Sequence, residues 1–204
     1  GVEPAGAACL TASFKAGKVV TLPSASTIAD GTAVLTPGDL LFPYLQKNLD
    51  DVITVEDDEL ITAFLDMVEN HKMIVENSGL LTVAALKHLD VKDKKIVSIL
   101  SGGNMDVITM ASVVQNGLIF RDRIFTVSVL LPDKPGMLVK VATSIAENQG
   151  NVIKLDHNQF YSTNRNEAVE LRVTIEAFGT DHKQKIMDAL EKAGFRPKLV
   201  HTNL

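Results

Sequence analysis

Ser101-Gly102-Gly103-Asn104 is the stretch of this 204-residue chain whose residue types could do chemistry. Ser101 would leave one hydroxyl at the tip of a mostly apolar run, able to donate to or accept from a ring nitrogen. Gly102 and Gly103 let the backbone bend sharply and let a ligand approach it closely. Four consecutive carboxylates, Glu56, Asp57, Asp58 and Glu59, offer hard oxygen ligands of the kind that hold Mg²⁺. On a helix their side chains point in different directions, so stabilisation of the helix dipole is the better reading. The five histidines (71, 88, 157, 182, 201) and the single cysteine, Cys9, show no metal-ligand spacing.

The elements that must position Ser101 follow from the pattern around it. Ile96–Leu100 has no helical spacing and lies between Lys94/Lys95 and the two glycines, which predicts a strand buried on both faces of a parallel sheet. A helical pattern follows over Met105–Gln115. Strand, small-residue turn and helix is the arrangement in which open α/β sheets place their ligands, at the carboxyl ends of the strands. Upstream, Gly1-Val-Glu3 predicts a strand end, Ala5–Ala16 a helix stopped by Gly17, Val19–Leu22 a brief strand, and Pro23–Gly38 mostly loop with a turn at Asp30-Gly31. Asp39–Leu49 predicts a helix interrupted near Pro43, or two helical turns. Asp51–Val55 predicts a strand, and the four acids open the helix after it. Glu76-Asn-Ser-Gly79 opens a helix apolar almost all round, hence a buried one.

Beyond about residue 120 the pattern changes. Phe125–Leu131 alternates as a strand, Pro132–Gly136 is a loop, and Met137–Asn148 is a helix ended by Gly150. Asn151–Phe160 is strand-like, Asn164-Arg-Asn166 a turn, Glu167–Ala177 a strand, Asp181–Ala193 a helix and Arg196–His201 a last strand. That order, βαββαβ, is ferredoxin-like.

Composition narrows the function classes. The chain is 46% hydrophobic and 22% charged with net charge −5, an ordinary globular balance. Residues 1–119 carry net −7 and residues 120–204 net +2, with no tryptophan and no basic cluster interleaved with aromatics, which disfavours nucleic-acid binding. No apolar run is long enough to suggest a membrane span. One cysteine excludes an internal disulfide and fits a reducing cytoplasm.

Ser101-Gly-Gly-Asn104 after a hydrophobic strand, with Glu76-Asn-Ser-Gly-Leu-Leu-Thr-Val-Ala-Ala-Leu86 before it, resembles the C-terminal part of the threonine/serine dehydratases. Gly1-Val-Glu-Pro-Ala-Gly-Ala7 and Thr27-Ile-Ala-Asp-Gly-Thr-Ala-Val34 match that family in the same order. The resemblance implies a tryptophan-synthase-β-like (fold type II) parallel-sheet domain over 1–119 that uses pyridoxal phosphate to turn threonine or serine into a 2-oxo acid and ammonia. It implies that Ser101, beside Gly102, hydrogen-bonds the pyridine nitrogen of the cofactor. Glu76 is either a second polar contact near the ring or a plain helix N-terminal acid. Glu3, Ala7 and Cys9 match a divalent-cation site of some relatives, but Cys9 stands where an aspartate ligates, so weak binding or none is expected. The family's glycine-rich phosphate loop and Schiff-base lysine segment do not occur in this chain. It begins within a family motif, and the expectation is of an inactive fragment of a longer enzyme. The alternative is a non-catalytic, amino-acid-sensing module with a docking domain.

The region 120–204 resembles an ACT domain, the amino-acid-sensing module, on its element order, on Pro135-Gly136 at the first helix and on Gly150-Asn151 at the second strand. The resemblance places an effector at Asp133, Lys134, Pro135, Gly136 and Asn151, with the Gly136 and Met137 amides toward its carboxylate. It implies association as a homodimer or tetramer through this domain, and isoleucine or valine as the effector.

Overall fold

A computed structural model describes residues 1–90, 92–158 and 169–203. The chain divides into two compact units, Gly1–Gly117 and Leu118–Leu204.

In the first unit, strand β1 (Val2–Pro4) lies parallel to β2 (Ile53–Val55), with Val2 opposite Ile53. Between them come a 3-10 turn at Ala5–Ala7 and helix α1 (Cys9–Ala16), which Gly17 ends in the left-handed conformation (φ 67°) that glycine adopts without strain. Helix α2 (Phe42–Asn48) has Pro43 in its first turn, where no backbone donor is needed. Helix α3 (Asp57–Asp66) begins where Glu59 reaches back to accept the Glu56 amide at 2.6 Å. It runs into a π-helical turn at Met67–His71. The segment after Glu76 alternates 3-10 and α geometry through the short helix α4 (Leu81–Ala84). Leu80, Leu81, Ala84 and Ala85 of this segment are buried against Leu60 and Phe64 of α3, and each large side chain so enclosed contributes roughly 1.5–3 kcal/mol. Helix α5 (Val107–Phe120) closes this part of the chain, with Gly117 laid against Leu65 and Ile61.

Two predicted strands do not form. Val19–Leu22 has no strand partner among the described residues; Val20 donates to Ser13 Oγ at 2.9 Å and Leu22 to the Leu35 carbonyl at 2.8 Å. Ile96–Leu100 is paired with no other strand among the described residues, and it is largely exposed rather than buried. An apolar pattern sets what a segment can do inside a sheet, but neighbours on both sides make the strand.

The second unit is a four-stranded antiparallel sheet in the order β4-β5-β3-β6: β3 (Ile124–Leu131), β4 (Asn151–Asn158), β5 (Val169–Glu176) and β6 (Lys198–Val200). Helices α6 (Met137–Glu147) and α7 (Thr180–Lys192) connect β3 to β4 and β5 to β6. The alternation in β3 and β5 works as a sheet requires. Val127, Val129, Leu171, Val173 and Ile175 meet Val141, Ile145, Ile186 and Leu190 of the helices. The opposite face carries polar pairs, Thr126 with Thr174 at 2.9 Å and Ser128 Oγ donating to Glu170 Oε1 at 2.7 Å. Burial opposes ionisation of Glu170, but the Ser128 and Arg172 contacts outweigh it and hold its carboxyl below the usual range. The turn expected at Asn164–Asn166 lies outside the described residues, as do the ends of the two strands flanking it.

Candidate functional site

The geometry around Ser101 is built from three loops that tight backbone contacts hold together. Glu76 precedes the 3-10 turn Asn77–Leu80, yet its carboxylate does not cap that turn. It reaches across to accept the Asn104 amide through Oε2 at 2.9 Å. Gly102, at φ 83°, lies so close that a Cβ there would stand 2.1 Å from Glu76 Cδ, and a Cβ on Gly79 would stand 1.7 Å from the Ser101 carbonyl oxygen. Gly31, in the Asp30–Thr32 turn, abuts Ser78 Oγ on the other side. Glu76 thus anchors the Ser101 turn, a role that neither reading of it named.

The Ser101 residue itself is exposed, while the residues behind it are enclosed. Asn77 is buried and donates through Nδ2 to the Ile28 carbonyl at 3.0 Å; its Oδ1 and Ser78 Oγ have no hydrogen-bond partner among the described residues. The arrangement is an exposed hydroxyl on a glycine turn, locked by an anchored carboxylate and backed by a polar floor. It fits the nitrogen edge of a pyridine ring, which needs one neutral hydrogen-bonding group at a fixed position. Sequence reasoning named Ser101, Gly102 and Glu76, and the geometry joins them to Gly79 and Asn104 through contacts between residues distant in sequence.

The cation candidates are otherwise engaged. Glu3 turns both carboxylate oxygens onto the start of α1, accepting the Leu10 amide at 2.9 Å and the Thr11 amide at 2.6 Å. Cys9 is buried; desolvation first, and the Glu3 charge second, push its thiol pKa up, away from the thiolate that binds metal. Ala7 offers only its carbonyl. Of the four acids that open α3, Asp57 and Glu59 turn to different partners. Asp57 accepts from Thr27 Oγ1 at 2.5 Å and the Ile28 amide at 3.1 Å, whereas Glu59 meets Lys87 at 2.5 Å and His88 at 2.9 Å. Among the described residues no three His, Cys, Asp or Glu side chains are grouped to hold a metal ion.

The loop after β3 forms a small cavity of about 320 Å³, lined by Asp133, Lys134, Pro135, Gly136 and, from β4, His157. Leu131, Met137 and Leu138 give it an apolar wall. The Met137 amide donates to the Lys134 carbonyl at 3.3 Å, so of the two amides expected to face a ligand this one closes the turn instead. Asn151 is elsewhere. It begins β4 and donates to Glu176 Oε2 at 3.1 Å, six residues and so roughly 20 Å along the strand from His157. Within one chain, therefore, Asn151 and Asp133–Gly136 sit at opposite ends of the sheet. His157 carried no signal of its own in the sequence; the register of β4 brings it there.

Among the described residues no helix is long and apolar enough to cross a membrane. The chain is 36% identical over 197 residues to an L-threonine ammonia-lyase of Geobacter sulfurreducens, covering 96% of this chain and 49% of the relative. It is 30% identical over 201 residues to an L-threonine ammonia-lyase of Thermotoga maritima, covering 98% and 50%. It thus spans about half the length of the curated relatives it matches. Among solved structures it is similar to the processed form of threonine deaminase isoform 2 from Solanum lycopersicum, at 34% identity and a TM-score of 0.54 over 56% of this chain and 35% of that one. The profile of the pyridoxal-phosphate dependent enzymes matches residues 1–102, the half of the chain that ends at the Ser101-Gly102 turn, and the chain belongs to that family.

Proposed function

We propose that residues 1–117 supply the ring-nitrogen side of the active site of a pyridoxal-phosphate dependent ammonia-lyase that turns threonine or serine into a 2-oxo acid and ammonia. The observation that carries this reading is the locked turn at Ser101, where Glu76 holds Asn104, Gly79 lies against the Ser101 carbonyl and Gly102 against the Glu76 side chain. When bound, pyridoxal phosphate supplies the electron sink that acidifies the substrate α-carbon and lets the β-hydroxyl leave. Ser101 orients the ring by one neutral hydrogen bond. A hydroxyl does not hold the pyridine nitrogen protonated as a carboxylate would, which suits β-elimination. The chain alone is proposed to be inactive, since the lysine segment and glycine loop of the family do not occur in it.

The second unit has the element order and strand order of a ferredoxin-like fold, and we read it as an ACT domain that binds a small amino acid at the Asp133–Gly136 cavity. Isoleucine or valine suits the apolar wall of that cavity. Because Asn151 lies at the far end of β4, an edge strand, it would reach a ligand at Asp133–Gly136 only on a second copy, which supports a homodimer or tetramer. The setting proposed is the cytoplasm.

A covalent chimera tests the catalytic reading. In the Geobacter relative, the matched half is replaced by this chain and ammonia release from threonine and serine is measured. Activity that falls at least about tenfold on Ser101→Ala, the loss of one buried hydrogen bond, is the expected result. A folded, cofactor-loaded chimera indifferent to that substitution would remove Ser101 from the site.

A further inference from the structure

The two helices of the second unit leave a groove between them that shares no residue with the Asp133–Gly136 cavity. β3 and β5 are antiparallel, so the helices that return from them, α6 and α7, run antiparallel as well. His182 Nε2 meets the Asn148 carbonyl at 2.7 Å and sets the start of α7 beside the end of α6. Residues from Lys140 to Glu147 line one wall, and residues from Lys185 to Lys192 line the other in the opposite sense. The cavity holds about 640 Å³, within the size range of small-molecule sites.

Its two ends differ. Where α6 starts and α7 stops, Lys140 and Lys192 share the lining with Val139, Ala193 and Phe195. Val139 is 62% exposed, an apolar wall left to water. None of Lys140, Lys185 and Lys192 makes an ion pair or side-chain hydrogen bond among the described residues, whereas Lys183 of the same helix is held by Asp122 at 2.7 Å. Three lysines meet two carboxylates in this lining, Glu147 and Asp188, and Asp188 already accepts from Gln184 Nε2 at 2.8 Å. One positive charge is left over, at the Lys140–Lys192 end, and it calls for one negative charge on a ligand. Glu147 stands at the far end, roughly 10 Å away by the rise of α6, where it would repel a second carboxylate and where the apolar part of a ligand must stop. We propose that this groove binds a small monocarboxylate with an apolar chain of about six carbons, its head between Lys140 and Lys192 and its chain against Val139, Ala189 and Phe195. Such a ligand lacks the ammonium of an amino acid. The groove and its charge are independent of the reaction and of the effector cavity proposed above.

Titration of the full chain with hexanoate, followed by amide and methyl NMR, tests it. The expected result is a set of saturable shifts centred on Val139, Ala189 and Ala193. Hexanamide, which loses the charge, and norleucine, which adds an ammonium to the same six-carbon skeleton, should each bind at least about tenfold more weakly. Lys140→Gln combined with Lys192→Gln should lower hexanoate affinity about tenfold or more. Both side chains are exposed, so the fold is kept, which circular dichroism would verify. Should the double variant unfold, the comparison of the three ligands on the unaltered chain decides alone. Lys134→Gln, at the loop cavity, should leave hexanoate binding unchanged. Shifts centred on Asp133–Gly136, equal affinity for hexanamide or norleucine, a folded double variant that binds as before, or no saturable shift up to ~10 mM would each overturn the proposal.

Discussion

Glu76 and Asn104 stand 28 residues apart in sequence, yet the Glu76 carboxylate accepts the Asn104 amide at 2.9 Å and so fixes the loop on which Ser101 lies. The contact is exposed, and its energy is modest, about 1 kcal/mol for a charge-assisted bond in reach of water. Its value is positional. Without it the two glycines would let the turn wander.

That relationship predicts how Glu76 variants differ. Glu76→Ala should abolish hydrogen-exchange protection of the Asn104 amide, whereas Glu76→Gln, which keeps an acceptor oxygen, should retain most of it. Equal loss in both variants would mean that charge, not geometry, holds the turn.

Gly79→Ala should be among the costly single substitutions in the first unit. Its Cβ would stand 1.7 Å from the Ser101 carbonyl oxygen, and that atom belongs to backbone, which cannot swing aside. The expected loss is about 2–4 kcal/mol in urea unfolding, from overpacking and a displaced turn. Gly103→Ala, with nothing within 4 Å of the new methyl, should cost far less.

Asp122 makes the second unit sensitive to acid. Burial opposes its ionisation, but Lys183 Nζ at 2.7 Å and Thr180 Oγ1 at 2.9 Å outweigh that and hold its carboxyl below the ordinary value. A carboxyl with a depressed folded-state pKa stabilises the fold above its unfolded value, near pH 4, and that stability is lost as pH falls through the folded-state value. Asp122→Asn should therefore lower stability by about 1–2 kcal/mol at pH 7 and by little at pH 2–3. An equal loss at both pH values would remove the ionic part of the argument.

His182 should be held in one tautomer. Its Nδ1 accepts the Phe178 amide at 3.0 Å, which requires a lone pair there, and Nε2 is left to donate to the Asn148 carbonyl at 2.7 Å. The ring also stacks on Phe178, with centroids 4.9 Å apart. Nitrogen-15 NMR at neutral pH should show the Nε2–H form, and His182→Phe, which keeps the stack, should still cost about 1–2 kcal/mol through two lost bonds. A mixture of tautomers would show that these contacts are looser in solution.

For the effector reading, calorimetric titration of the chain with isoleucine and valine should give heat that His157→Ala diminishes, and sedimentation at tens of micromolar should show a dimer. A monomer that takes up no amino acid would leave the second unit with no sensing role.

The local chemistry of this chain was legible in its sequence. Gly17 as a helix stop, the acids that open α3, the alternation of β3 and β5 and the strand-helix order of the second unit all depend on residues within a few positions of one another, whereas the helix expected over Asp39–Leu49 with a break near Pro43 starts instead at Phe42. Ser101, Gly102 and Glu76 were legible through a motif. What tertiary structure decided is where distant segments meet. The same apolar pattern at Ile96–Leu100 that predicts a buried strand yields an exposed segment and no strand here, because strand formation requires backbone partners that periodicity does not contain. Asn151 and Asp133–Gly136 are nearly as close in sequence as two arms of one site could be, yet a helix and the length of β4 place them at opposite ends of the sheet. His157 joins the loop only because an eight-residue strand returns to it. Spacing along a chain encodes the period of an element, and the length and direction of that element then set which side chains share a site.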